Sequence, residues 1–378
     1  MTTVLEFGGG LENYLINTAK ELHERYNLDI KIVTMDNDFS KKINNILGFY
    51  YLKKTYNEFI FKESSKSISA RLNGIEYIKC KNFNELKQQL KIADVIYSKN
   101  EILESFILKF LIGYSDLPKI IFGCHTALFY PVAKTIHSKL HNFLYGGLVY
   151  KFMTTGVYGF HVLNLSDESR IKNIYGKKKK VWHIPNPIDV NLLVSQSQKF
   201  QYELENINTY NIVWIARMNE QKGVEDLVSI IEAVNLKYKN DIFWNIIGDG
   251  EDGYKFDDLI KSNNNIKLYG HIQNIYIPNI LKQSDLFITT SKWEGHPINL
   301  LESQAMDLFA IGYDIPGVNS IIINGKTGFL VSDIGEFVEK LGSLLGKRNK
   351  NLGISESIKE RFGPDMIYGN LKHMFDEA

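Results

Sequence analysis

The sequence predicts an α/β protein of two doubly wound, Rossmann-like domains, and three observations carry that expectation. Short β-branched or aromatic runs alternate with longer segments of helical period, the pattern of βαβ units with parallel sheets covered on both faces. The alternation comes in two series, separated by a polar stretch, 185–210, that opens on Pro185-Asn186-Pro187. The length of 378 residues suits two domains at roughly 100 to 200 residues each, and a composition 44% hydrophobic and 12% aromatic excludes disorder as the main state.

The first series places candidate strands at 4–7, 30–33, 95–97, 119–122, 160–163 and 180–184. Between the last two, Ser166-Asp167-Glu168-Ser169 predicts a helix start, with Ser166 as cap and two carboxylates at the positive end of the dipole, and Gly176 predicts its stop. Proline lacks the ladder donor and restricts the residue before it, so the chain leaves the first domain after Ile184. The second series holds candidate strands at 211–215, 243–247, 266–269, 286–289, 309–312 and 328–331. A terminal helix pair, broken at Gly363-Pro364, closes the chain. The expected domains are 1–190 and 191–357, with a helix over 358–378 crossing back to the first.

The net charge of +1 is too balanced for a surface that coats nucleic acid, yet residues 1–190 sum to +8 and residues 191–378 to −7. With Cys80 and Cys124 as the two cysteines, no disulfide framework, Cys-x-x-Cys redox pair or metal cluster is implied, which fits a reducing compartment. No signal-like segment and no apolar run of about 18 residues is seen, so a cytoplasmic location is expected.

Two stretches carry candidate chemistry. Ala216-Arg217-Met218-Asn219-Glu220-Gln221-Lys222-Gly223 follows a candidate strand, where open α/β sheets bind their ligands, so Arg217 and Lys222 are positioned to neutralise a diphosphate. Glu294-Gly295-His296-Pro297-Ile298-Asn299-Leu300-Leu301-Glu302 puts two carboxylates around a helix expected to start near Pro297. The amides of Asn299, Leu300 and Leu301 would then be open to an anionic ligand. Near the N-terminus, Gly8-Gly9-Gly10 forms a weaker candidate phosphate or sugar loop without the full Gly-x-Gly-x-x-Gly spacing.

In this order the motifs resemble those of the GT-B retaining glycosyltransferases of family 4. The resemblance runs through Ala216-Arg217 to Lys222-Gly223, Ile247-Gly248-Asp249-Gly250, Leu268-Tyr269-Gly270-His271-Ile272, Ser284-Asp285-Leu286, the Glu294 to Glu302 stretch and Asn324-Gly325-Lys326-Thr327-Gly328-Phe329-Leu330-Val331. The first half matches more thinly, at Gly9-Gly10-Leu11-Glu12, His125, Leu165-Ser166 and Asn186-Pro187-Ile188-Asp189. Ala216 and Pro187 stand where the family usually has glycine, and Gly317-Val318-Asn319-Ser320 lacks the family's frequent glutamate.

The resemblance implies a GT-B fold, two Rossmann-like domains facing across a cleft, and transfer of a hexosyl unit from a nucleotide-diphosphate sugar with retention of configuration. It implies that Arg217 and Lys222 hold the donor diphosphate and that Glu302 bonds the ribose. It further implies that Glu294 and the amides of Asn299 to Leu301 meet the transferred sugar and phosphate, that His125 approaches the same sugar, and that Gly9 and Gly10 close over the phosphate. Neither cofactor nor metal is required, because fixed cations and helix amides stabilise the leaving diphosphate. A catalytically silent sugar-binding or partner-supporting module, and a phosphorylase or epimerase on a similar fold, are the rival readings.

On the acceptor side, Lys134, Lys139, Lys151 and Lys177 to Lys180 are mixed with Phe129, Tyr130, Phe143, Tyr145, Tyr150 and Phe152. Cations beside amphipathic aromatics suit an anionic membrane surface, so a lipid-linked or other carbohydrate acceptor at the cytoplasmic face is expected, and nucleic acid is not. The stretch Phe49 to Lys54 is a second candidate for an interfacial segment.

Overall fold

The computed structural model describes residues 10–35, 62–63, 68–72, 74–99, 105–132, 135–205, 209–346 and 352–378. The expected strand 4–7, Gly8, Gly9, the Phe49 to Lys54 stretch and Lys134 lie outside the described residues. By packing, the chain divides into a first unit of 1–128, 139–184 and 368–378, and a second of 129–138 and 185–367.

Among its described residues the first unit holds two four-stranded sheets. In one, β1 (Lys31–Met35), β2 (Lys62–Glu63), β3 (Ile68–Leu72) and β4 (Ile75–Cys80) run in the order β1-β4-β3-β2, with β1 and β4 parallel and the other pairs antiparallel. This mixed sheet departs from the expected all-parallel pattern. The run Ile75 to Cys80 interrupts its buried residues, Ile75, Tyr77, Ile78 and Cys80, with the partly exposed Glu76 and Lys79, whereas a parallel strand covered on both faces is a continuous apolar run.

The second sheet of this unit is parallel, in the order β5 (Val95–Lys99), β6 (Lys119–Cys124), β7 (Gly159–Val162), β8 (Lys180–His183). Phe122, Phe160 and Val162 are fully buried in it, each such side chain contributing about 1.5–3 kcal/mol. The helix Leu165–Tyr175 stops before Gly176 as expected, but its cap is Asn164, whose side chain accepts from the Asp167 amide at 2.9 Å. Asn164 is the last extended residue, so it, and not the helical Ser166, faces the free amides.

Among its described residues the second unit holds one six-stranded parallel sheet: β9 (Tyr210–Ile215), β10 (Ile242–Ile247), β11 (Ile266–Gly270), β12 (Leu286–Thr289), β13 (Ala310–Tyr313) and β14 (Gly328–Val331). All six match expected strands to within a residue or so. The order is β11-β10-β9-β12-β13-β14, the doubly wound order that reverses direction between its first and fourth strands. That reversal opens a crevice beyond the carboxyl ends of β9 and β12. Buried polar groups inside the sheet are paired in a row, Tyr269 donating to Asn245 at 3.0 Å and Asn245 to Asn211 at 2.9 Å.

The helices Ile354–Phe362 and Pro364–Glu377 break at Gly363. Ile358 and Phe362 are buried in the second unit's core, and the Ile188 amide donates to Phe362 O at 2.9 Å, so the first of these helices packs there. From Tyr368 the chain packs with the first unit, where Trp182 donates to Glu377 at 2.8 Å. Among the described residues no helix is long and apolar enough to cross a membrane.

Candidate functional site

The site of the second unit grows from two loops at the switch point. After β9, residues 216–219 lead into a single turn, Glu220–Lys222, capped by Asn219, whose side chain accepts from the Lys222 amide at 3.2 Å. Gly223 follows in the left-handed region at φ 63°, and a Cβ there would lie 2.1 Å from Thr290 O. Only glycine lets this turn press against the loop after β12. The two loops are then joined by hydrogen bonds from the Thr290 hydroxyl to Lys222 O at 2.7 Å, from the Lys292 amide to Gln221 O at 2.7 Å and from the Gln221 amide group to Trp293 O at 3.0 Å.

That junction brings the predicted residues together. Glu294 is buried, and its Oε1 accepts from Lys222 Nζ at 2.5 Å and from the Ser291 hydroxyl at 2.7 Å, while Gln221 approaches Oε2 at 3.4 Å. Gln221 lies within the first stretch read from the sequence and Ser291 just before the second, and spacing gave neither a role. Arg217 is exposed beside this cluster in sequence and, among the described residues, has no ion-pair partner. Burial pushes the Glu302 carboxyl up to about 7, and no hydrogen-bond partner for it is found among the described residues.

The helix after this loop spans Ile298–Ala305, with Pro297 as its extended cap residue and not, as expected, its first helical position. The Asn299 side chain donates to Ile215 O at 2.5 Å, tying the helix start to the end of β9. Two of the three amides expected to face a ligand are occupied. Leu300 N donates to Asn299 Oδ1 at 2.9 Å, and Leu301 N donates to Pro297 O at 3.2 Å in the first backbone bond of the helix. Trp293 stacks on Tyr130 at 4.4 Å, which fastens 129–138 to the second unit.

His125 and Gly10 belong to the first unit. Gly10 begins the helix Gly10–Tyr26, and His125 directly follows β6 at the carboxyl end of its sheet. There the His125 ring lies 4.6 Å from that of Tyr14 and its Nε2 is 2.8 Å from the Tyr97 hydroxyl. Among the described residues no cluster of three or more His, Cys, Asp or Glu is arranged to hold a metal.

Residues 195–361 match the family model described as glycosyl transferases group 1. Most of the second unit is thus similar to the group 1 glycosyl transferases. Among curated relatives, the chain is 29% identical over 215 residues to the UDP-Gal:alpha-D-GlcNAc-diphosphoundecaprenol alpha-1,3-galactosyltransferase of Escherichia coli, a match covering 51% of this chain and 54% of that one. The chain thus spans about half the length of this relative. Among solved structures, HepE of Anabaena in complex with UDP superposes with a TM-score of 0.69 at 13% identity, over 100% of this chain and 98% of that one. The pneumococcal O-GlcNAc transferase GtfA in complex with UDP and GlcNAc gives 0.65 at 12% identity, over 100% and 99%. The fold is accordingly GT-B, and the group 1 match includes the loops that hold Arg217, Lys222 and Glu294 and the helix that holds Glu302.

Proposed function

We propose that this protein is a retaining glycosyltransferase that moves a hexosyl unit from a uridine-diphosphate sugar to an acceptor hydroxyl. The observation that carries the reading is the meeting of Lys222 and Glu294 at the switch point of the unit that matches the group 1 model, with Arg217 on the first loop and Glu302 in the helix that follows the second. In this reading Arg217 and Lys222 hold the diphosphate and stabilise the charge that develops as it leaves, without need of a metal. Glu302 takes the ribose hydroxyls, Glu294 the hydroxyls of the transferred sugar, and His125 the same sugar. A carboxylate already bonded by an ammonium and a hydroxyl is a poor nucleophile and a good hydroxyl acceptor. Retention then follows from same-face substitution: the bond from the sugar's anomeric carbon to phosphate breaks, the acceptor oxygen bonds to that carbon, and the acceptor proton passes to the leaving phosphate. The complexes of HepE and GtfA with UDP support the choice of base.

For the acceptor we propose a lipid-linked glycan precursor met at an anionic membrane surface. Phe110, Leu111, Leu148 and Phe152 are exposed on the first unit, and Lys109 lies over the Phe152 ring at 3.7 Å. Lys109 also donates to the Thr155 hydroxyl at 2.9 Å while Lys179 donates to Thr155 O at 2.8 Å, so the apolar patch adjoins a cavity of about 600 Å³ lined by Lys119 and Lys177 to Lys180. Of the expected aromatics, Tyr145 and Tyr150 are in the core and take no part. The diphosphoundecaprenol acceptor in the name of the E. coli relative supports the same class.

Thermal stabilisation by a panel of UDP-, GDP-, ADP- and dTDP-sugars, with Arg217→Ala and Glu302→Ala as controls, tests the donor reading. Stabilisation by UDP-sugars, lost in both variants, is expected, since a ligand at about 100 times its Kd adds roughly 2.7 kcal/mol. No shift with any nucleotide sugar would leave the silent module as the better reading.

A further inference from the structure

Three parallel strands of the first unit bring Tyr97, His125 and His161 into one chain of hydrogen bonds at the carboxyl end of their sheet. Tyr97 comes from β5, His125 follows β6 and His161 lies in β7, directly opposite Gly123 in register. The Tyr97 hydroxyl is 2.8 Å from His125 Nε2 and 2.7 Å from His161 Nδ1, and His161 Nε2 is 2.7 Å from Ile184 O. Gly123 leaves the space for this meeting: a Cβ there would lie 2.0 Å from the Tyr97 hydroxyl and 2.7 Å from His125 Nε2. Tyr14 packs on His125 and Phe375, from the last helix, edges onto Tyr97 at 5.9 Å, so the rings are held from both sides.

The chain has a direction. A backbone carbonyl only accepts, so His161 carries a proton on Nε2. His161 is wholly buried and its pKa is lowered to about 4 by that burial, so the ring is neutral and Nδ1 accepts. The Tyr97 proton is therefore committed to His161, and the Tyr97 oxygen is left to accept from His125. We infer that Tyr97 and His161 are positioning residues that fix His125 as its Nε2–H tautomer, so that in the neutral ring Nδ1 is the acceptor. A ring so fixed recognises a donor, a sugar hydroxyl, in preference to a phosphate oxygen. The consequence for turnover rests on the reading of His125 given above, while the tautomer rests on the first unit's own geometry.

The test is 15N-imidazole NMR of the full chain with labelled histidine, beside turnover. The native protein is expected to show His125 protonated at Nε2, with an exchange-protected proton. Tyr97→Phe should lose that protection, and His161→Phe, by releasing the Tyr97 proton, should admit an Nδ1–H population at His125. Gly123→Ala, which displaces the hydroxyl without removing it, should also lose the protection. A native Nδ1–H tautomer, or the same tautomer and protection in the native protein and all three variants, overturns the inference. In turnover, Tyr97→Phe is expected to lower kcat/KM for the sugar nucleotide about tenfold or more while UDP affinity stays unchanged. Absence of any sugar transfer by the native protein would sink the transferase reading and leave the tautomer result standing.

Discussion

Lys222 Nζ donates to Glu294 Oε1 at 2.5 Å across two loops 72 residues apart in sequence, and both side chains are largely buried. The cation proposed for the diphosphate and the carboxylate proposed for the sugar are thus one unit: displacement of either alters the charge felt by the other. Removing one partner of a buried pair strands the other charge, whereas removing both charges does not.

Lys222→Met is therefore expected to destabilise the second unit by about 3 kcal/mol, and Lys222→Met combined with Glu294→Gln by much less. Urea unfolding of the native protein, the single variants and the pair measures the coupling. Additive losses would mean that the two side chains do not depend on each other.

The Glu302 carboxyl is raised by burial from 4.5 to about 7, so the folded protein binds its proton more tightly than the unfolded chain does. The associated stability is full below about pH 4.5 and is lost as the pH rises through 7. Unfolding free energies between pH 5 and 8 should show this fall in the native protein and a flatter profile in Glu302→Gln. A ribose hydroxyl donating to Glu302 needs the ionised form, so UDP affinity should rise by up to about tenfold per pH unit below 7 and level off above it. Calorimetric titration at three pH values checks the sign, and equal slopes in Glu302→Gln would remove Glu302 from the ribose.

Gly223→Ala places a Cβ 2.1 Å from Thr290 O at φ 63°. The turn must open, carrying Lys222 away from Glu294, at a cost of about 2 kcal/mol or more. Loss of both unfolding free energy and nucleotide-induced stabilisation is the expected result, and an unchanged midpoint would show that the two loops are not pressed together as described.

Membrane docking makes a separate prediction. Phe110→Ser with Phe152→Ser, and independently Lys177→Glu with Lys178→Glu, should reduce sedimentation with vesicles containing anionic lipid, the lysine pair more at low than at high salt, because screening weakens the electrostatic part alone. Native binding that ignores lipid charge would count against the lysine-lined cavity as its contact.

The sequence was read correctly where the local pattern is the physical cause. All six strands of the second unit, the helix stop at Gly176 and the break at Gly363 follow from apolar runs, glycine freedom and proline's missing donor, which act within a few residues. The paired motifs at 216–223 and 294–302 were legible for the same reason, since a loop after a strand and before a helix has few alternatives. What one sequence could not show is which groups become partners across the fold. Occupation of the Leu300 amide depends on the Asn299 side chain, whose amide group is held by Ile215 O at the end of β9. The antiparallel edge of the first unit depends on the pairing of β3 with β4, from Ile68 opposite Lys79 to Leu72 opposite Ile75, which no local pattern states. Tyr97 and His161, 64 residues apart, carry no motif, and only the parallel register of β5, β6 and β7, with a glycine where they meet, joins them to His125. Composition and period thus determined the elements and the two candidate loops; the strand order decided the hydrogen-bond network, because direction and distance between donors exist only once the sheet has formed.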